Sequence, residues 1–219
     1  MNPDEPAVVL ASASPRRRRL IGWLGLDVAV TSVETAEDLA VPLVPAALTA
    51  AIAAEKALEV PADGRLVLAF DTIVVLDDKV LGKPADETDA RRMLRALSGR
   101  AHEVVTGVAL CEPDSNDIRT FSVTTRVDMH ALSHDEIDAW IAQGECLGCA
   151  GAYNIERHLA SVGVDECFQN VAGLPLCHVY AALAEGDVRG LPEGLTRPVE
   201  ACDATLGRTC ALGPRVCER

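Results

Sequence analysis

The sequence predicts an α/β fold whose sheet is mostly covered by helices. Three observations carry that reading. Short β-branched runs alternate with helix-length segments along most of the chain, the pattern of a layered α/β domain. One run, Leu66 to Leu76, is apolar apart from Asp71 and Thr72 and has the length of a core strand. Finally, 49% of the residues are hydrophobic but only 3% are aromatic, so the core must be built from Ala, Val and Leu, which suits packed helices and strands better than an aromatic-rich sandwich.

Val8 to Ala11 reads as a short strand. It leads through Ser12-Ala13-Ser14-Pro15 into a helix over Arg16 to Leu24, with Ser14 as N-cap and Pro15 at the first helical position. Pro45 to Val60 is an Ala-rich helix that carries Lys56. Leu66 to Leu76 is the central strand, turning at Asp77-Asp78-Lys79. Thr88 to Leu97 is a helix closed by Gly99, and Glu103 to Cys111 and Thr120 to His130 are strands. Ser133 and Glu136 form a capping box for a helix that ends at Gly144. Ala150 to Ile155 is expected to be extended, and Pro175 to start a last helix with Leu176, Val179, Tyr180 and Leu183 on one face. From Gly186 onward there are eight Gly or Pro among 34 residues. That segment, 186-219, reads as a loosely ordered appendage, dispensable for chemistry, to a domain over 1-185.

At 219 residues the chain can bury a real core without staples. Twenty basic against 33 acidic residues leave a formal charge of -13, which argues against a nucleic acid polymer as partner because the average surface repels phosphate. A phosphate site must then be a local basic pocket. Met1 to Pro6 is acidic and polar, and Arg16 to Arg19 interrupt the apolar stretch that follows, unlike a secretory signal. No run approaches the ~18 apolar residues of a membrane span. The expectation is a cytoplasmic protein with no membrane partner and with reduced thiols for its eight cysteines. Cys111, Cys167 and Cys177 sit among apolar neighbours and read as core residues. Cys146 and Cys149 have the spacing of a metal or redox pair, but no second well-spaced pair accompanies them. For Cys202, Cys210 and Cys217, metal binding or a disulfide stays open.

Two places carry chemistry. An aliphatic residue would fill the position of Asp71 at lower cost, so an ionised group in that run asks for a cation, a metal or a catalytic task. The segment from Ser12 to Arg17 gathers backbone N–H groups, two hydroxyls and guanidinium groups where a strand enters a helix, an arrangement that binds phosphate. Cations there oppose the helix dipole unless an anion lies between them. A capped helix with a solvated basic first turn is the alternative.

Beyond these two places, the ordered motifs Leu10-Ala11-Ser12-Ala13-Ser14-Pro15-Arg16-Arg17, Glu34, Ala54-Glu55-Lys56-Ala57, Asp71-Thr72-Ile73-Val74, Gly82-Lys83-Pro84, Leu97-Ser98-Gly99-Arg100-Ala101-His102, Val105-Thr106-Gly107, Gly144-Glu145, Ala150-Gly151-Ala152-Tyr153 and Asn170-Val171-Ala172-Gly173-Leu174-Pro175 resemble those of the Maf family of nucleoside triphosphate pyrophosphatases. The resemblance covers about residues 8 to 185. It implies a mixed twisted sheet flanked by helices, akin to inosine triphosphate pyrophosphatases, with two lobes around a cleft. It also implies hydrolysis of a nucleoside triphosphate to the monophosphate and pyrophosphate. Asp71 would be the carboxylate that prepares the attacking water, as acid-base group or metal ligand, and Glu34 a second carboxylate near the ion. Lys83 and Arg17 would hold and neutralise the phosphates, with Ser12, Ser14 and Lys56 lining the same pocket. The cofactor implied is a divalent cation, Mg²⁺ first and Mn²⁺ or Co²⁺ as alternatives, because phosphoryl transfer rests on positioning and charge stabilisation. His102 lies in a matching motif and reads as a hydrogen-bonded structural residue. A homodimer is a further expectation.

The chain also departs from the pattern. Gly148-Cys149 and Glu156-Arg157 stand where many pyrimidine-directed members have Asp-Lys and Gln-Gly. Glu156 resembles members acting on 7-methyl-GTP, and as an acceptor it favours guanine or cytosine edges, whereas Arg16 and Thr72 match the dTTP/UTP-directed type. The missing Lys leaves a non-catalytic nucleotide-binding regulator of cell division as the alternative to an enzyme. Retention of Asp71, Lys83 and Arg17 favours catalysis.

Overall fold

The run predicted as the central strand is β3 (Leu66–Leu76), with every residue but Thr72 buried. In the computed structural model, which describes residues 6–33, 39, 41–61, 63–113, 117–185 and 188–218, β3 organises a mixed sheet. Before it come β1 (Val8–Ala11), α1 (Pro15–Ile21), β2 (Val28–Thr31) and α2 (Pro45–Leu58). After it come β4 (Lys79–Leu81), α3 (Glu87–Leu97), β5 (Ala101–Cys111), β6 (Ile118–Met129), α4 (His134–Ile141), β7 (Ala160–Val162), α5 (Phe168–Val171), α6 (Leu176–Ala184), α7 (Val199–Leu206) and α8 (Leu212–Cys217). The sheet order is β2-β1-β3-β5-β6-β7, with β4 on β3. The pairs β1/β2 and β1/β3 are parallel, and the others are antiparallel.

Because side chains alternate across a strand, β3 builds two different layers. Leu66, Leu68, Phe70, Val74 and Leu76 join the large core with residues of α1, α3, α4 and α6. Val67, Ala69, Ile73 and Val75 pack on the other face, which α2 covers. That face admits α2 closely because β5 carries Gly107 opposite Asp71. A Cβ there would lie 2.1 Å from the Thr49 carbonyl oxygen, so no larger residue fits beneath the helix. One edge of β3 is shared by two neighbours: β1 pairs with it as far as Ala69, and β4 takes over at Val74. Between them, Phe70 to Ile73 have no strand partner on that edge among the described residues, and the chain leaving β1 at Ser12 passes the opening.

Two expectations need correction. Ala150 to Ile155 is not extended but turns tightly, with 3₁₀ turns at Ala150–Ala152 and Ile155–Arg157 and left-handed φ at Gly151 and Ala152. Backbone bonds from Gly151 N–H to the Gly82 carbonyl and from Ala152 N–H to Cys149, both 3.0 Å, hold it there. Nor is the C-terminal segment loose over its described residues. It forms α7 and α8, and α6 is therefore not the last helix. Thr196 N–H donates to the Leu24 carbonyl at 2.8 Å, Arg208 Nη2 to Val162 at 2.7 Å, and Cys202 is buried. Its Gly and Pro residues punctuate the helices: Pro198 precedes α7, and Gly207 ends it in the left-handed region.

Candidate active site

The opening in the β3 edge leads into a cleft of about 1070 Å³. Its wall includes Ser12, Ser14, Arg16, Arg17, Lys56, Asp71, Thr72, Lys83 and Glu156. Every site residue expected from the sequence is therefore gathered here except Glu34, which lies outside the described residues.

Asp71 points to the α2 face of β3 and is 3% exposed, and Lys56 on α2 is 7% exposed. Lys56 Nζ donates to Asp71 Oδ1 at 2.6 Å. The ion pair divides the apolar layer under α2, with Ala53, Ala57, Val67 and Ala69 on one side and Leu48, Ile52, Ile73 and Val75 on the other. The second carboxylate oxygen, Oδ2, is buried without a hydrogen-bond partner among the described residues. A buried charged oxygen left unsatisfied costs several kcal/mol unless something else meets it, so this atom asks for a ligand.

Thr72 faces the opposite way. Arg17 reaches it from α1: Nη2 donates to Thr72 Oγ1 at 2.9 Å, Nη1 to the Phe70 carbonyl at 3.0 Å and Nε to the Gly173 carbonyl at 2.8 Å. The guanidinium also lies 5.8 Å from the Phe70 ring centre, within the range of a cation–π contact. Arg17 thus clamps the floor of the cleft, closing the Phe70 carbonyl that the strand edge leaves open. Gly173 is needed at the far end of the clamp, since its φ is +97° and a Cβ would stand 3.3 Å from Arg17 Nε. Asn170 sets the height of that loop: its Nδ2 donates to the Val104 and Val123 carbonyls and to Thr125 Oγ1, each at 3.1 Å.

Ser14 Oγ accepts from Arg17 N–H at 3.4 Å, and Ser14 N–H donates to Ser12 Oγ at 3.2 Å. The N-cap expected at Ser14 is therefore formed, and it orders the entry to α1. Lys83 is exposed just beyond β4 on the cleft wall. Arg16 Nη1 donates to Cys149 Sγ at 3.3 Å, while its Nε is buried without a partner among the described residues.

The rim holds residues that sequence reasoning did not assign. Arg19 is ion-paired to Glu156, and Arg157 to Glu145. The Arg157 guanidinium holds the Glu145 carboxyl below the usual carboxylate range, helped by Asn154 and by the charge of Arg16. Asn154 Oδ1 accepts from Glu156 N–H at 3.1 Å and so fixes the turn that presents Glu156. One signal for Arg19 was available: it lies three residues after Arg16, on the same helix face. His102 lies away from this wall, as a structural histidine should. It is buried, shares a 2.8 Å hydrogen bond between Nε2 and Tyr153 Oη, and burial pushes its imidazole down to about 4.

Comparison with known proteins identifies the arrangement. A family model described as Maf-like protein matches residues 7–186. The chain belongs to the Maf family. Similar proteins include three named dTTP/UTP pyrophosphatase. That of Geobacter metallireducens is 40% identical over 83% of this chain and 96% of its own length. That of Syntrophomonas wolfei is 44% identical over 80% and 95%. That of Anaeromyxobacter dehalogenans is 45% identical over 81% and 93%. With such identity over nearly the whole of these Maf proteins, nucleoside triphosphate pyrophosphatase activity is shared by this chain. The Staphylococcus aureus Ham1 protein overlaps at a TM-score of 0.39 and 15% identity, over 56% of this chain and 71% of that chain, too loosely to bear on the site.

Proposed function

We propose that this Maf protein hydrolyses UTP or dTTP to the monophosphate and pyrophosphate, with Asp71 as the group that prepares water. The observation that carries this reading is the Oδ2 of Asp71, buried without a hydrogen-bond partner among the described residues, in a residue that lines a cleft walled by cations at the break in the β3 edge. A pure nucleotide binder needs the cations but has no use for that oxygen. Lys56 holds Oδ1, so the carboxylate is fixed with Oδ2 free to accept a proton from water attacking phosphorus. Arg16 and Lys83 neutralise the triphosphate, and Arg17 keeps Thr72 and the Gly173 loop in register beneath it.

The donor set also fits a divalent cation. Asp71 Oδ2 is an oxygen donor without a hydrogen-bond partner among the described residues, and Mg²⁺ takes few protein ligands beside water and phosphate oxygens. Asp71 would hold it through Oδ2 as the alternative to the proton-accepting role of that oxygen, with Mn²⁺ or Co²⁺ in place of Mg²⁺. When bound, such an ion supplies charge neutralisation on phosphate oxygens and a lowered water pKa.

The names of the relatives and the partner of Glu156 support the pyrimidine reading. A bare carboxylate only accepts and repels the O4 of uracil or thymine. Paired with Arg19, Glu156 offers an acceptor beside a donor, which complements the N3–H and O4 of those bases. Phosphate release measured with added inorganic pyrophosphatase, across UTP, dTTP, CTP, GTP and 7-methyl-GTP, tests this. UTP and dTTP should lead by roughly tenfold or more in kcat/KM, and Arg19→Ala should narrow the lead. A preference for CTP or 7-methyl-GTP would instead assign base choice to Glu156 as a lone acceptor.

A further inference from the structure

Beneath the floor of the cleft, the Arg17 clamp is one part of a closed ring of hydrogen bonds. Thr72 on β3 and Thr106 on β5 are opposed across the antiparallel pair, and their Oγ1 atoms lie 2.9 Å apart. Thr106 is fully buried, and its Oγ1 also donates to the Asn170 carbonyl at 3.1 Å. That carbonyl takes the Gly173 N–H as well, at 2.9 Å, and the Gly173 carbonyl takes Arg17 Nε at 2.8 Å. Arg17 Nη2 closes the ring on Thr72 Oγ1 at 2.9 Å.

The ring leaves each proton one place to go. A carbonyl only accepts, so the single hydroxyl proton of Thr106 is spent on Asn170. Between the two threonines, Thr72 must then be the donor, and its own proton is spent on Thr106. A guanidinium only donates, so Arg17 occupies one lone pair of Thr72. Among the described residues nothing else bonds Thr72 Oγ1, which is left with one lone pair and no proton. Thr72 is half-buried on the cleft wall. Gly173 keeps the oxygen uncovered, since a Cβ there would stand 3.5 Å from Oγ1.

An acceptor-only hydroxyl takes a donor and turns away ionised phosphate oxygens, which themselves only accept. On the pyrimidine reading proposed above, on which this assignment rests, UTP and dTTP share two donors. One is the base N3–H, which Glu156 meets, and the other is the 3′-hydroxyl of the sugar. We propose that Thr72 accepts from the sugar 3′-hydroxyl and that Thr106 is the positioning residue that commits it to accepting. Thr106 is buried away from substrate and acts by taking the proton that Thr72 would otherwise turn toward the cleft.

Initial rates on dTTP, its 3′-deoxy analogue and its 3′-fluoro-3′-deoxy analogue test this, because hydrogen removes the donor and fluorine puts an acceptor in its place. For the wild type, kcat/KM should fall by roughly tenfold or more from dTTP to the 3′-deoxy analogue. It should fall further for the 3′-fluoro analogue, whose fluorine faces the Thr72 lone pair. Thr106→Val keeps the shape but frees the Thr72 proton to turn to fluorine, so the 3′-fluoro analogue should overtake the 3′-deoxy one. Thr106→Ser, which retains the hydroxyl, should keep the wild-type order. A merely structural role for Thr106 would slow all three substrates of the Val variant by one factor, and that unchanged order would overturn the proposal. Equal wild-type kcat/KM for dTTP and its 3′-deoxy analogue would also overturn it, by showing that water rather than the sugar meets Thr72; this comparison needs no variant. The base is constant within the series, so its result is independent of whether UTP and dTTP lead CTP and 7-methyl-GTP, and the two readings fail separately.

Discussion

Asp71 and Lys56 place opposite charges inside one apolar layer, and the substitutions that break the pair should separate chemistry from stability. Asp71→Asn keeps the shape and an acceptor for Lys56 but removes basicity and cation affinity. It should lower kcat by roughly 10²-fold or more, while calorimetry still detects nucleotide binding. An unchanged kcat would remove Asp71 from the reaction. Lys56→Met strands a buried carboxylate and should cost about 3 to 5 kcal/mol in urea unfolding, part of which the double variant with Asp71→Asn recovers. His102 contributes through pH instead. The unfolded chain has an ordinary imidazole near 6.5 and binds a proton that the folded protein excludes until about pH 4. Its full stabilising effect is thus present above pH 6.5 and is lost as pH falls from there toward 4, by about 3 kcal/mol in all. Urea unfolding at pH 7 and pH 4.5 should show wild type losing more than His102→Gln; equal losses would mean that His102 is not excluded from protonation.

At the scale of elements, the close seat of α2 on Gly107 is what brings Lys56 to Asp71. Gly107→Ala has to lift the helix, and it should cost about 1 to 3 kcal/mol or more as overpacking does and depress kcat with it. A variant with lowered stability but intact kcat would show that the helix shifts without moving Lys56. The strands and helices of the sheet were legible because each announces itself locally: β3 by its apolar run, α1 by Ser14 and Pro15, α4 by its capping box. The turns at 150–157 were not, since Ala-Gly-Ala is equally compatible with extended chain and the deciding contacts come from Gly82 and Cys149. The tail misled in the same way, because Gly and Pro mark its helix ends while its order comes from docking on residues far away. Asp71 stood out as a charge among apolar neighbours. The rim pairs Arg19 with Glu156 and Arg157 with Glu145 did not, as surface charges of either sign look alike until the fold brings them together. For Arg17 the motif identified the residue but not its partners, two backbone carbonyls and a threonine hydroxyl.

Across the whole molecule, the cleft and the C-terminal helices are separate: no described residue beyond Gly173 lines the cleft. Truncation after Glu185 should therefore leave kcat/KM within a few-fold at 25 °C while lowering Tm, because buried Val188 and Cys202 and the bonds to Leu24 and Val162 are lost. Activity that collapses at temperatures where the truncated chain is still folded would tie the tail to the reaction. The Arg17 clamp has the opposite reach. Its bonds join positions 53, 55 and 156 residues apart, and contacts so distant along a chain form only after the intervening loops have closed. On dilution from urea, helical circular dichroism should return before pyrophosphate release does, the second in a slower phase. Simultaneous recovery would mean that the clamp is already made in the folding transition state. A polypeptide wired in this way cannot be half assembled and productive, so turnover is a clock for the last step of its own folding.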